Sequence, residues 1–269
     1  MIERRLLLVL ALAGCAPGRG GTDTARAPGA DTSSAATERA DTPAAASPAD
    51  TVATATASAS RGIVLPFRAR GNEPGWSLDV GEREMTLLAD YGERRIVATT
   101  PPPTRSGDTT RWAASAAGRE VLVTVVDRLC HDGMSGFAFP RTVVVRLDGR
   151  ELRGCGGETV DVLVGTRWTV RSVEGVAPPG DSRPTLLFDT DGRVSGRAPC
   201  NGLSGRFALR GDELTFSDLA TTRILCPPAV MQREQRFLAL LGEIRRFERP
   251  AGDTLVLHTE DGRALVARP

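Results

Sequence analysis

The chain has 269 residues and a mass of 28.5 kDa, which is enough for one or two domains. Its 34 basic and 33 acidic residues nearly cancel to a net charge of +1, which argues against a dedicated nucleic-acid-binding protein with a basic face. Every basic residue is arginine, so a Schiff-base or P-loop lysine is excluded. The two histidines, His131 and His258, provide few candidates for a general base or a metal ligand.

The first 14 residues have the layout of a bacterial secretory signal. Two arginines precede an apolar run at residues 6–12, which is too short to span a bilayer. The sequence Leu-Ala-Gly-Cys at residues 12–15 resembles a lipobox, which implies that Cys15 is the first mature residue and carries lipid. An ordinary secretory signal is the alternative. Because Ala16 and not aspartate follows the cysteine, the predicted location is the outer membrane, facing the periplasm.

Residues 15–62 are predicted to be a disordered tether that begins at the lipidated cysteine. Of the 45 positions from Ala16 to Ser60, 36 are Ala, Thr, Ser, Pro or Gly, so this stretch cannot bury enough apolar surface to offset its ordering entropy. A flexible chain of this length has a root-mean-square reach of about 35–40 Å. The tether would hold the folded part of the protein away from the membrane surface.

Two β-rich modules are predicted after the tether, at residues 63–164 and 165–269, so the predicted fold class is mainly β (α+β). Short apolar and β-branched runs separated by Gly, Asp and Pro indicate strands, and Asp-Gly pairs indicate hairpin turns. The first module has predicted strands at Ile63–Arg68, Trp76–Val80, Met85–Ala89, Arg94–Thr99, Val121–Asp127 and Thr142–Leu147. The second has predicted strands from Trp168 and at Thr185–Phe188, Arg193–Gly196, Gly205–Leu209, Leu214–Phe216, Phe247–Arg249, Leu255–His258 and Ala264–Ala267.

The segment from Pro227 to Arg246 is predicted to be a single helix packed on the sheet of the second module. It is rich in residues that favour helix, and proline suits a first helical turn. One face of this helix would contain Met231, Glu234, Leu238 and Leu241. Glu234 is polar on this apolar face, and an ion pair with an arginine such as Arg223 is favoured over a catalytic role.

Four cysteines remain when Cys15 is lipidated, two in each predicted module. In an oxidising compartment they allow three pairings. The pairs Cys130–Cys155 and Cys200–Cys226 are favoured because they require no contact between modules. Each bond would stabilise its module by about 3–4 kcal/mol. A zinc site at Cys130 and His131 is the alternative, but there is no C-x-x-C pair or second nearby histidine, so no metal is expected.

The tripeptide Cys130-His131-Asp132 could also combine a nucleophile with a base. Adjacent residues seldom face each other as triad members do, so a cysteine at a strand end followed by a polar turn is favoured. Residues 133–136 and 202–205 place serine near glycine without the G-x-S-x-G spacing, and we interpret them as turns.

The second module also follows the residue pattern of a known bacterial domain. The matching residues are Gly196, Cys200-Asn201, Ser204-Gly205, residues 219–223, Cys226-Pro227, Met231, Glu234, Phe237-Leu238, Leu241, and residues 255–257 and 262–265. In this pattern the module resembles the META (HslJ-like) domain family, although Ala198-Pro199 stands where that family more often has glycine before the cysteine. The resemblance implies a compact β-rich envelope domain with one helix. It also implies links to stress response and novobiocin tolerance, and no established catalytic residue. Asn201, Arg223, Met231 and Glu234 would be structural motif residues.

The first module is similar to an uncharacterised bacterial lipoprotein domain. The matching residues are Asn72-Glu73-Pro74, Trp76, Cys130, Asp132, Met134-Ser135, Pro140 and Gly154-Cys155. This likeness implies an envelope location and no particular chemistry.

The predicted function is that of a non-enzymatic envelope lipoprotein of the META type, acting in stress response or envelope maintenance by binding. Its partners would be the membrane, through acylated Cys15, and an envelope protein or small molecule. No nucleic acid or cofactor is expected. One alternative is an inhibitor-like binder of a lysozyme-type enzyme. Another is a hydrolase that uses Asp132, His131 or Glu234 on an unknown substrate.

Overall fold

The computed structural model describes residues 62–180, 183–250 and 253–269. In these ranges the chain forms nineteen strands, one α-helix and two short 3-10 turns, which confirms the predicted mainly β fold. The predicted signal, Cys15 and nearly all of the tether lie outside the described residues. The helix found in the described ranges is neither long nor apolar enough to cross a membrane.

The first half of the described chain forms a nine-stranded antiparallel sheet. Its nine strands are β1 Phe67–Asn72, β2 Gly75–Val80, β3 Glu84–Ala89, β4 Arg94–Thr99, β5 Thr104–Ser106, β6 Thr109–Ala116, β7 Arg119–Val126, β10 Arg141–Leu147 and β11 Arg150–Gly156. Between β7 and β10 the chain forms a separate hairpin of two short strands, β8 Cys130–His131 and β9 Ala138–Phe139. The order across the sheet is β4-β3-β2-β1-β11-β10-β7-β6-β5, while β8 and β9 pair with each other. Alternation places Val121, Val123 and Val125 of β7 in the core.

Local signals account for most of these strands, and the exceptions have local causes. The Asp-Gly pair at residues 148–149 has positive φ at both positions and joins β10 to β11, as predicted. Strand β1 begins at Phe67 and not at Ile63, because Pro66 has no amide hydrogen to donate to a ladder. The prediction misses β5, β6 and the short strands β8 and β9. Strands β5 and β6 extend the sheet from β7, and β6 contains alanines, which have low strand propensity, beside strand-favouring Thr and Trp.

The second half forms a closed eight-stranded barrel. Its strands are β12 Arg167–Val173, β13 Thr185–Phe188, β14 Arg193–Arg197, β15 Gly202–Arg210, β16 Glu213–Thr221, β17 Ile244–Glu248, β18 Leu255–Thr259 and β19 Ala264–Arg268. Each strand is hydrogen-bonded to the next, and β19 closes the barrel on β12. A closed barrel has no free strand edge, so all of its strands contribute to one core.

The predicted helix is present as α1, Pro228–Glu243, between β16 and β17. It ends before the predicted Arg246 because residues 244–248 form β17. The predicted face is partly wrong. Phe237 and Leu240 are buried beside Glu234 and Leu241, whereas the side chains of Met231 and Leu238 are only half-buried. Phe237, Leu240 and Leu241 belong to the buried cluster of the barrel, so the face that packs inward is centred on these residues.

Side chains that precede the predicted boundary at residue 165 lie in the core of the barrel. Residues 162–164 belong to the same buried cluster as Trp168. The indole Nε1 of Trp168 donates a hydrogen bond to the Leu163 carbonyl at 2.8 Å. The Arg249 guanidinium lies 4.7 Å from the centre of the Trp168 ring and donates to the Val162 carbonyl. The segment before β12 is therefore part of the barrel's packing.

A barrel fragment that starts at residue 165 should be less stable than one that starts at residue 157. The shorter fragment loses three buried aliphatic side chains at 162–164, each worth about 1.5–3 kcal/mol. It also leaves the Trp168 indole without its acceptor. We expect a much lower midpoint, or a non-cooperative transition, when thermal unfolding is followed by circular dichroism. Equal midpoints for the two fragments would contradict this packing.

Candidate functional site

The most deeply buried carboxylate of the barrel belongs to Glu234, which is 4% exposed. Its Oε2 accepts hydrogen bonds from the amides of Cys200 and Asn201 at 2.9 and 2.8 Å, and its Oε1 accepts one from Asn201 Nδ2 at 2.7 Å. The predicted ion pair with Arg223 is wrong: no such contact exists among the described side chains. Backbone donors of a tight turn replace the arginine, because they meet the carboxylate without burying a second charge.

Asn201 connects this carboxylate to the segment between β16 and α1. Its side chain is 1% exposed, and its Oδ1 accepts hydrogen bonds from Thr222 Oγ1 at 2.9 Å and the Ile224 amide at 2.7 Å. These bonds fix which way the Asn201 amide points, so Nδ2 must face Glu234. We call Glu234, Asn201, Cys200, Thr222 and Ile224 the polar cluster.

The structure brings together only part of the predicted META motif. Asn201 and Glu234 meet in the polar cluster, whereas Arg223 is exposed and Met231 is half-buried. Residue patterns do not identify Thr222 and Ile224 as partners of Asn201. The signals that point to this segment are the matching residues 219–223, which include Thr222, and the neighbouring Cys226-Pro227 pair.

The substitution Glu234→Gln should destabilise the protein by about 1–3 kcal/mol. The glutamine Oε1 can take the two backbone amides, but its Nε2 would then face the Asn201 Nδ2, donor against donor. Asn201 cannot rotate to relieve this contact without losing Thr222 and Ile224. Chemical denaturation measures the change.

Glu243→Gln is the matched control for that substitution. Glu243 lies on the same helix and pairs with Arg263 at the surface, where ion pairs contribute about 0–1 kcal/mol. If both variants lose the same stability, the polar cluster does not hold the helix as we describe.

The four cysteines of the described chain lie in two pairs with disulfide geometry. The Cα atoms of Cys130 and Cys155 are 5.5 Å apart, and those of Cys200 and Cys226 are 6.2 Å apart. This supports the predicted pairing within each module. No group of three or more His, Cys, Asp or Glu side chains in the described ranges could hold a metal ion.

Asp132 organises the turn between β8 and β9. Its carboxylate is 7% exposed, and Oδ1 accepts hydrogen bonds from the amides of Met134 and Ser135 and from Ser135 Oγ, at 3.1, 2.8 and 2.8 Å. Asn72 Nδ2 donates to Oδ2 at 3.0 Å. Burial raises the pKa of Asp132, but the hydrogen bonds from Ser135, Asn72 and Met134 outweigh it and lower the pKa to about 2. The predicted polar turn is thus built around an ionised carboxylate.

The neighbours of Asp132 have partners of their own. The Cys130 sulfur is bonded to Cys155, so it is not a free thiol. The Nε2 atom of His131 lies 2.7 Å from the Arg249 carbonyl oxygen, which requires the hydrogen on that nitrogen. Neither contact aligns these residues as a nucleophile and its base.

A cleft of about 490 Å³ lies beside the Asp132 turn and is lined in part by Asn72, Glu73, His131 and Met134. Its inner wall depends on Trp76, whose Nε1 donates to the Arg153 carbonyl at 3.1 Å. The indole leaves no room for a side chain at Gly71, where a Cβ would lie 2.2 Å from Nε1. At Gly154 a Cβ would lie 2.0 Å from the Arg70 carbonyl oxygen and 2.8 Å from the indole Cζ2. Several residues that carry the likeness of the first module therefore meet around one packed tryptophan.

Asp132→Asn should lower stability by about 2 kcal/mol near neutral pH. The folded-state pKa of Asp132 lies below its unfolded value, so its stabilisation is present above a pH of about 3.8 and is lost as pH falls through about 2. Denaturation at a series of pH values should show the two proteins converging in acid. Asp79→Asn at the surface is the control and should change stability little at any pH. A difference between wild type and Asp132→Asn that stays constant down to a pH of about 2 would contradict the argument.

The outer wall of the barrel carries an open depression of about 810 Å³ across β12 to β16. Strand register places Arg167 opposite Leu187, Leu187 opposite Ser195, and Ser195 opposite Ser204. Arg183 and Arg197 complete a set of three arginines around the depression, and none forms an ion pair with a described residue. No Asp or Glu occurs among the described lining residues, so arginine is the charged residue type that the described part of this wall presents.

The fold and the polar cluster define a disulfide-bonded β-barrel domain whose single helix is fixed by a buried glutamate. Residues 161–269 match the family model of the META domain, so the chain contains a META domain, as the resemblance predicts. The match includes the buried residues 162–164.

Two solved structures are similar to part of this chain. An NMR structure at 28% identity covers 42% of this chain and 95% of its own, with a TM-score of 0.36. The NMR structure of a protein from Burkholderia xenovorans, at 27% identity, covers 40% of this chain and 84% of its own, with a TM-score of 0.35. None of the curated proteins compared with the chain matches it.

Proposed function

We propose that the protein is a lipid-anchored envelope protein of the META type that acts by binding and not by catalysis. The observation that carries this proposal is the occupancy of the two buried carboxylates. Asp132 accepts four hydrogen bonds and Glu234 accepts three, all from the protein itself. A general base works best with a pKa near the operating pH and with access to its substrate, whereas the pKa of Asp132 is lowered to about 2 and Glu234 is 4% exposed. Both properties weigh against the hydrolase alternative.

Further support comes from the family and from the N-terminal sequence. The META domain is not a known enzyme family. The lipobox-like sequence at residues 12–15 and the Ala/Thr/Ser/Pro-rich residues 16–60 have the order of a bacterial lipoprotein anchor and its tether. A folded binding unit on such a tether can contact envelope components within its reach. Its physiological role would be envelope maintenance under stress, as the META resemblance implies.

Cys15→Ser should prevent acylation of the protein and should allow its release from membranes without detergent. Wild-type protein should remain with membranes in high salt and require detergent for extraction, because buried acyl chains contribute about 0.8 kcal/mol for each methylene. The variant should incorporate no radiolabelled palmitate and should leave the membranes in high salt. Ala16→Ser, one residue along, should behave like wild type. A Cys15→Ser protein that still requires detergent would overturn the proposed anchor.

A further inference from the structure

The segment between β16 and α1 exposes two large aliphatic side chains next to each other. Ile224 is 59% exposed and Leu225 is 92% exposed; we call this pair the apolar tip. The tip is fixed by its surroundings, because the Ile224 amide donates to Asn201 Oδ1 and Cys226 is bonded to Cys200. The polar cluster and a disulfide therefore hold two adjacent apolar side chains in solvent in a fixed position.

Arginines without ion-pair partners among the described residues lie around the apolar tip. Arg223 directly precedes the tip. Arg197 pairs with Gly202 across β14 and β15, and the Gly202 amide donates to Thr222 Oγ1 at 3.1 Å, one residue from Arg223. Arg183 lines the same depression as Arg197. The tip and the positively charged wall therefore form one continuous surface.

The chemistry of this wall suits phosphate oxygens. Hydroxyl groups lie between the arginines, from Thr185, Ser195, Ser204 and Thr221. Guanidinium groups bind phosphate in a bidentate way, and hydroxyls donate to the remaining oxygens. The described lining residues include no aromatic ring on which a base could stack. The depression is too open to enclose a small molecule, so it suits several phosphates held by a larger surface.

We propose that this surface of the META domain docks on the anionic headgroups of a lipid membrane. Ile224 and Leu225 insert between the lipids, while Arg183, Arg197 and Arg223 contact lipid phosphates. Insertion of apolar side chains combined with a basic patch is the usual basis of reversible interfacial binding. The inference rests on the envelope anchoring proposed above, since a tethered domain stays within reach of a lipid surface.

Vesicle co-sedimentation tests the docking without the anchor. The predicted mature chain, from residue 15 to residue 269 and carrying Cys15→Ser, is mixed with vesicles of phosphatidylcholine alone or with vesicles that also contain phosphatidylglycerol. Binding should require the anionic lipid and should weaken as salt is added. Leu225→Trp in the same chain should give an indole emission that shifts to the blue on binding, as insertion requires.

Separate substitutions measure what the apolar tip and the arginines each contribute to vesicle binding. Leu225→Ser should weaken partitioning at least about tenfold, because a large apolar side chain no longer enters the lipid. Arg183→Gln and Arg197→Gln should each weaken it about fivefold. The matched controls are Val97→Ser and Arg95→Gln, which change an exposed aliphatic residue and an exposed arginine on β4 and should leave binding unchanged. Unchanged thermal midpoints establish that all variants are folded.

Three results would overturn the proposal. They are equal binding to both vesicle types, binding to inorganic polyphosphate but not to vesicles, and self-association that Leu225→Ser abolishes. The failure of this experiment is separate from that of the anchor, because all the vesicle assays use the unacylated Cys15→Ser chain. Conversely, vesicle binding that follows these variants would support docking even if Cys15 proved not to be acylated.

Discussion

Burying a carboxylate is strongly unfavourable in free energy unless hydrogen-bond donors surround it. In the META barrel, one turn of the backbone supplies two of the donors for Glu234. The donors are the consecutive amides of Cys200 and Asn201, so the turn after β14 must keep its geometry for the helix to dock. The Cys200–Cys226 bond joins that turn to the segment before the helix. Helix, turn and segment thus depend on one shared set of contacts, and loss of any of them exposes the others.

The β8–β9 hairpin connects the nine-stranded sheet to the barrel. Cys130 is bonded to Cys155 of β11, whereas Ala138 lies in the core of the barrel. A Cβ at Gly211 would lie only 2.7 Å from the ring of Phe137, so glycine is the residue that allows this contact. Asp132 closes the turn of this hairpin from within. Residues of the first module, Phe137 and Ala138, therefore pack against the barrel. The buried core of the barrel thus includes side chains that precede β12 in the chain.

Sequence reasoning succeeded where structure is decided locally. The Asp-Gly turn at 148–149, the helix after Pro227 and the pairing of cysteines within modules need only nearby residues or simple chain connectivity. It failed for Glu234, because the partners of this residue are backbone amides 33 and 34 residues upstream, and backbone donors have no residue-type signature. Charge alone therefore predicts an ion pair between Glu234 and Arg223. The Ala-rich β6 is likewise a strand only because the sheet beside it supplies the ladder.

Because the predicted ion pair between Arg223 and Glu234 is wrong, Arg223 can have a different role at the surface of the domain. Arg223 is exposed, forms no ion pair with a described residue, and directly precedes Ile224 and Leu225, so its guanidinium can meet an external anion. Asn201 serves both purposes: Nδ2 satisfies the buried carboxylate, and Oδ1 fixes the backbone of Ile224. The apolar residues are held in place before any ligand arrives, so binding would cost little ordering entropy. The same hydrogen bonds that complete the core therefore preorganise the outer surface.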